Sequence, residues 1–496
     1  MVHVSSTCSM GRLPPHNRYK MKALQYIAAL LLLTNFAHAQ QITDTVLTLQ
    51  QCLDIGVKNN LMVKQSELQM ESSRINWQQS RANLLPTLNG NITHTVSNGR
   101  SLNPFTNGYL DQPITSANYS LNSSLILSSG LTLQNNIRQT ALAYQAGQMD
   151  FEQARNNLTL NLIIAYLQVL SSEDQLNQAN SQAEVTQKQE ERTEILNRNG
   201  AVPPSQLSDL KGQLAGDEEN VINARNTLDI AKLNLLQLMN VSYNSNVRFQ
   251  RQLSDNAPVL YGQSGEEIYQ TALADFALIK SGTLRRESAE KGLEAAKGTL
   301  LPSLAISGGI NTNYSSAAQR SLFVDSSVIA TNQFIRPSGG GKQTVYTTQA
   351  NYTNQGIGYS DQFRNNYSTS VSLGLNIPIL NYFQNHNKIA LAKINLQNAQ
   401  YSEQSNQVQL KVNIDQAYAN MTAAYQRYKL LVRQVDAFSE SFRIAETRFN
   451  DGALTSVDFL VVKGNLDRAK INLINARYDY LVRTKVLDYY QGKLSL

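Results

Sequence analysis

The 496-residue sequence is poor in cysteine, histidine, tryptophan and proline, with 2, 5, 1 and 11 of them, and each scarcity excludes something. Only Cys52 lies beyond the first 39 residues, so the mature chain cannot build an intrachain disulfide framework. On its helical pattern Cys52 reads as a small buried residue. His94 and His386 are the only histidines past residue 39 and stand far apart, so one chain cannot assemble a His/Cys metal cluster. Pro337-Ser338-Gly339-Gly340-Gly341-Lys342-Gln343 lacks the Ser or Thr after the lysine and the helix that a phosphate loop needs, and reads as a flexible loop. Gly262-Gln263-Ser264-Gly265 has linker composition, and no nucleophile elbow occurs. No cofactor and no enzyme are expected. Of the formal +6 charge, Arg12, Arg18, Lys20 and Lys22 precede Gln40 with no acid among them, leaving about +2 and little support for a nucleic-acid partner. Long apolar runs are missing too: Tyr26 to Leu33 is too short to span a bilayer, and no other stretch approaches about 20 apolar residues.

That short run follows Arg18, Lys20 and Lys22 and precedes Ala37-His38-Ala39, the three zones of a secretory signal peptide over residues 1–39. Met21 sits at a better start distance from it than Met1. Gln40 in place of cysteine after the cut disfavours a lipid anchor, and export across the inner membrane is expected.

What is present is a repeat. Leu84-Leu85-Pro86-Thr87-Leu88 returns as Leu300-Leu301-Pro302-Ser303-Leu304, 216 residues later, and the same offset pairs Lys64 with Lys280. Further on the offset is 252, pairing Tyr166 with Tyr418, Gly200-Ala201 with Gly452-Ala453, and Asn223-Ala224-Arg225 with Asn475-Ala476-Arg477. The extra 36 residues fall in the polar stretch Ser315 to Asn366, which reads as an enlarged loop. Two copies are expected, at 40–250 and 251–496.

Leu49 to Leu84 has helical spacing through Leu53, Val57, Leu61, Leu68 and Ile75, and Pro86 ends it. The period then changes to two. Strands are predicted at about 87–98 and 117–128, and again at about 303–314 and 367–379. In the last, Val371, Leu373, Leu375 and Ile377 oppose Ser368, Ser370, Ser372 and Asn376. One apolar face and one Ser/Asn/Thr face suit a membrane β-barrel strand, with lipid outside and water inside, and equally the half-buried strand of a soluble sandwich. Residues 131–199 and 382–451 contain no proline and only one internal glycine, Gly147. Each predicts a helix on the order of 100 Å long. Leu410, Ile414, Ala417, Met421 and Ala424, and Leu158, Leu162, Ala165 and Val169, keep a four-three spacing, the mark of a coiled-coil seam. Gly200 and Gly452 stop these helices, Ser205 and Ser456 are expected as the next N-caps, and returning helices run at about 205–240 and 456–490.

Four strands cannot close a membrane barrel, so the chain must oligomerise. The duplicated Leu-Pro-Thr/Ser-Leu phrase, Ile377-Pro378-Ile379-Leu380-Asn381, and Arg448-Phe449-Asn450-Asp451-Gly452 followed by Val457-Asp458-Phe459-Leu460 together identify a resemblance to the TolC family of outer-membrane efflux proteins, from about Leu47 to Gly492. The resemblance implies an α+β membrane protein: a homotrimer whose twelve-stranded outer-membrane barrel continues into a twelve-helix periplasmic tube. It implies docking to a periplasmic adaptor and an inner-membrane pump of the RND or ABC type. By the same resemblance Asp458 matches an acidic ring at the periplasmic aperture. The companion acid one turn on is Val461, and Asp209 of the first copy is the candidate second ring. Gly200, Ala201, Gly452 and Ala453 fall at the adaptor-docking tips. A trimeric surface stalk or adhesin also combines coiled coil with a barrel anchor, but strands in both halves and a helical end favour the duct.

Overall fold

A computed structural model describes residues 46–102, 107–251 and 258–494; the signal-peptide reading of residues 1–39 lies outside the described residues. The first half contains β1 (Val46–Leu47), α1 (Leu49–Asn59), α2 (Leu61–Ala82), β2 (Thr87–Ser97), β3 (Arg100–Leu102), β4 (Tyr109–Asp111), β5 (Ile114–Ser129), α3 (Thr132–Arg198), α4 (Pro204–Leu238) and β6 (Arg248–Phe249). The second contains α5 (Gly265–Asp275), α6 (Ala277–Gly298), β7 (Ser303–Ser315), β8 (Gln319–Ile335), β9 (Gln343–Gly356), α7 (Tyr359–Asn365), β10 (Ser368–Asn376), α8 (Gln384–Asn450) and α9 (Ser456–Tyr490). The bounds of α5 and α6 repeat those of α1 and α2 at an offset of 216, and α8 and α9 repeat α3 and α4 at 252.

The single helix expected from Leu49 to Leu84 is two. At Asn60 the backbone is extended (ψ 127°), and Asn60 Oδ1 accepts from the N–H groups of Met62 at 2.9 Å and Val63 at 3.3 Å. A side chain that satisfies the first donors of a new helix ends the old one. Apolar spacing continues across Asn60, so periodicity could not register the break. Ser264, in the stretch read as linker, is instead the N-cap of α5, paired with Glu267 in a capping box.

α3 and α8 are 67 residues each, about 100 Å of helix. Two apolar cores lie near their middles. One gathers Leu162, Ile163, Tyr166 and Leu167 against Leu235, Leu236 and Met239, and the other sets Ile414 and Met421 against Ile268, Ala272 and Leu487. Gly56 sits where a Cβ would come within 2.5 Å of Leu162 Cδ1; the matching positions of the second half hold Ala272 and Ile414, a different shape filled by a different pair. Cys52 is fully buried in the first core, and burial pushes its thiol up to about 12. It is expected to resist iodoacetamide at pH 8 in the folded protein and to react at once in denaturant, a difference that mass spectrometry reads directly.

The seam of α3 changes character along its length. Leu158, Leu162 and Val169 are buried, but beyond Ala179 the buried positions are Gln182, Thr186, Gln189 and Thr193. The four-three rhythm continues with polar residues, where apolar counting loses it.

The sheet that carries most of the strand content has the order β10-β7-β5-β2, antiparallel throughout. Its register puts Leu373 opposite Ile306, Ile306 opposite Leu125, and Ile92 opposite Tyr119 on one face. The other face carries Asn89, Asn122, Ser307, Ser370 and Ser372, with Ser307 and Ser372 hydroxyls 2.8 Å apart. Leu127 is the extra residue of a β-bulge between Ile126 and Ser128. On the apolar face Ile92, Val371 and Leu373 are 75%, 79% and 67% exposed. Among the described residues β2 and β10 are both edges with no further partner strand.

The stretch Ser315 to Asn366 is not an enlarged loop. It holds the long hairpin β8–β9 and the short helix α7. Register shifts at Phe323/Asp325 and Ala330/Phe334 break the two-residue alternation, which hides both strands from a reading by period.

Candidate functional site

Two surfaces are candidates: the polar face of the sheet and the turns that end the long helices. Both turns are built alike. Gly200 and Gly452 have φ of +72° and +74°, a region that favours glycine. Gly200 N–H donates to Asn197 O and Ala201 N–H to Leu196 O, both at 2.9 Å, while Gly452 N–H and Ala453 N–H donate to Phe449 O at 3.1 Å and Arg448 O at 2.8 Å. Each is a Schellman closure that satisfies the last helical carbonyls. All four residues, Gly200, Ala201, Gly452 and Ala453, are exposed.

The helix starts differ from expectation. Ser205 is not an N-cap: α4 begins at Pro204, whose fixed φ suits the first helical position, and Pro203 is the cap. Ser456 is not one either, because Thr455 takes that place. Thr455 Oγ1 accepts from Asp458 N–H at 3.1 Å and donates to Asp458 Oδ2 at 2.8 Å. Ser456 is buried and donates through Oγ to Asp209 Oδ2 at 2.9 Å. The structure thus brings both predicted acids to neighbouring helix starts, Asp458 in the first turn of α9 and Asp209 near the start of α4, each exposed and each with one hydroxyl partner. Val461, where a companion acid would stand, is 58% exposed.

Above these acids the two hairpins are tied by a polar cluster that the sequence reading missed. Lys463 of α9 is buried, with Nζ 2.9 Å from Asp217 Oδ2 of α4 and 2.8 Å from Asp467 Oδ2 one turn on. Asp217 Oδ2 also accepts from Thr186 Oγ1 of α3 at 2.5 Å, and its Oδ1 accepts from Gln213 Nε2 at 2.8 Å. Burial pushes the Asp467 carboxyl above its ordinary value, opposed by Lys463. Nearer the turns, Arg192 Nη2 donates to Asn450 O at 2.7 Å, and Phe459 stacks on Phe449 with centroids 4.6 Å apart. A signal for the cluster was present: Lys463 occupies the seam spacing Phe459, Lys463, Leu466, where a charge is costly unless paired.

Among the described residues no group of three or more His, Cys, Asp or Glu is placed to hold a metal ion, and no helix is long and apolar enough to cross a membrane. A sheet with an exposed apolar face, a hydroxyl- and amide-rich opposite face and two bare edges, joined to helices about 100 Å long, defines a barrel-forming channel protein with a helical extension. The outer membrane efflux protein family matches residues 55–241 and 268–492, and the chain belongs to it. It is an outer-membrane efflux channel. It is 23% identical to the outer membrane protein TolC of Escherichia coli over 482 residues, 96% of this chain and 87% of that one. The fold is similar to that of CusC (TM-score 0.71, 17% identity, 89% of this chain and 91% of the other). It is also similar to that of the CmeC channel of Campylobacter jejuni (TM-score 0.69, 16% identity, 90% and 86%).

Proposed function

We propose that three copies of this chain, each a tandem duplication with copies at 40–250 and 251–496, form a twelve-stranded barrel and a twelve-helix tube. The duct passively carries substrates from an inner-membrane pump of the RND or ABC type, through a periplasmic adaptor, to the outside. The observation that carries the reading is the four-stranded sheet with both edges bare, since open edges in lipid leave backbone groups unsatisfied and closure needs further copies. The polar sheet face then lines the pore. The turns at Gly200-Ala201 and Gly452-Ala453 are the adaptor-docking ends, and crosslinking of cysteines placed there to an adaptor tests that role.

Asp458, with Asp209 beside it, forms the narrow aperture at those ends. Asp458→Asn keeps an acceptor for the Thr455 hydroxyl and removes only the charge, so it separates gating from capping. In planar bilayers the wild-type trimer is expected to show a small, cation-preferring conductance, and Asp458→Asn to raise it roughly severalfold and weaken the preference, as for a charged ring at a constriction. Unchanged conductance removes Asp458 from the aperture. Silence from a correctly assembled wild-type oligomer removes the duct and favours a structural stalk.

A further inference from the structure

The segment between β7 and β10 returns to the sheet and lays α7 on its apolar face. Tyr359 and Phe363, one turn apart on α7, stack at 6.3 Å, and Tyr119 of β5 meets them edge-on at 6.4 and 5.5 Å. Tyr314 of β7 closes on Tyr359 at 5.0 Å. Register places Tyr119 and Tyr314 on the same face as Leu121 and Ile306. Polar contacts fix α7 in place. Thr312 Oγ1 donates to Phe363 O at 2.8 Å, and buried Gln362 donates to the carbonyls of Ser315 and Ile357 while accepting from Ser315 N–H. Yet Tyr359 and Phe363 remain 48% and 44% exposed, and the ion pair Arg364–Asp361 on the same short helix is exposed too.

Half-open aromatic rings on an apolar wall, with charges beside them, suit the boundary where hydrocarbon meets headgroups. The height agrees. Tyr367, just before β10, has the parity of Val371, and ten residues separate it from Ile377. That is about 34 Å along a strand and about 26 Å along the membrane normal at a tilt of about 40°, close to the apolar band of about 25 Å in such barrels.

We propose that α7 is an interfacial collar: it lies in the outer-leaflet boundary with the Tyr359 and Phe363 rings against lipid, and sets the depth at which the barrel sits. The proposal rests on reading the sheet as a lipid-facing barrel wall. Lipid, not a second copy, is the occupant, because α7 covers β5 and β7, the interior strands, while the edges that copies would share are β2 and β10.

Trp77 is the only tryptophan, so a Trp77→Phe background is dark. In it, Phe363→Trp and Leu373→Trp are each placed in the full chain, assembled in phosphatidylcholine vesicles brominated either near the headgroup or deep in the acyl chain. Phe363→Trp is expected to lose about twice as much emission to shallow bromine as to deep, as for a helix buried about 5–10 Å. Leu373→Trp is expected to show the reverse order. Tyr359→Trp, read the same way, guards against a local misfold at 363. If Leu373→Trp is quenched while neither α7 probe is, the collar is wrong and the barrel stands. If Leu373→Trp is not quenched, the barrel wall and the collar both fail. Probes on α7 shielded from lipid bromine and from aqueous iodide alike would mean that protein covers them, which overturns lipid as the occupant.

Discussion

Leu373→Arg is expected to abolish assembly in the outer membrane, while Ser372→Arg, the adjacent substitution, assembles normally. The two side chains lie on opposite faces of β10, Leu373 in the row with Ile306 and Leu125, Ser372 against the Ser307 hydroxyl. An arginine facing lipid at the membrane midplane costs about 2–4 kcal/mol per site. In the proposed trimer the cost recurs three times, roughly 6–12 kcal/mol, comparable to the whole stability of an ordinary domain. On the other face the guanidinium reaches water. Ser372→Arg should therefore leave the amount of oligomer in the outer-membrane fraction unchanged and shift the reversal potential toward anions. Equal assembly of both variants would mean that the apolar face does not meet lipid.

Lys463→Ala is expected to cost about 3–5 kcal/mol per protomer, the usual penalty for removing one partner of a buried ion pair. The loss arises from what remains. Asp217, 5% exposed at its side chain, is left without its cation, holding the hydrogen bonds from Thr186 and Gln213. Lys463→Met combined with Asp217→Leu is expected to restore most of the stability, because two apolar groups need no solvation. Thermal unfolding in detergent across this double-mutant cycle measures the coupling, and a loss under about 1 kcal/mol for Lys463→Ala would show the pair to be effectively solvated. Asp467→Asn should be far milder at neutral pH. Its carboxyl is raised by burial above its ordinary value, so the folded state holds that proton more firmly than the unfolded chain. This group's contribution is fully present below its unfolded value and is lost as pH rises through the raised folded one. Burial of ionised Asp467 therefore offsets part of its attraction to Lys463.

Much of the channel was legible because it is written in local chemistry. Alternation of Leu373 and Leu375 with Ser372 and Asn376 fixes two unlike faces whatever the strand pairs with, since successive side chains point to opposite sides. The acids proposed for the aperture, Asp458 and Asp209, were picked out by resemblance, but their hydroxyl partners were not. Thr455 displaces Ser456 as the N-cap because its hydroxyl meets Asp458 at the third helical position, a Thr-x-x-Asp pattern that was open to inspection. The β8–β9 hairpin was not legible, because two register shifts dephase an already polar alternation.

The sequence by itself determined the recurrence of elements at offsets of 216 and 252, the lengths of the long helices, their stops at Gly200 and Gly452, and the two-faced strands. All follow from repeats, missing prolines, glycine's access to positive φ, and periodicity, which act within a few residues or compare the chain with itself. Only the tertiary structure decided that Lys463 reaches Asp217 across 246 residues, that Ser456 reaches Asp209, and that α7 folds back onto Tyr119. Such pairings depend on how helices and strands far apart in the chain are set side by side, and no local period encodes that.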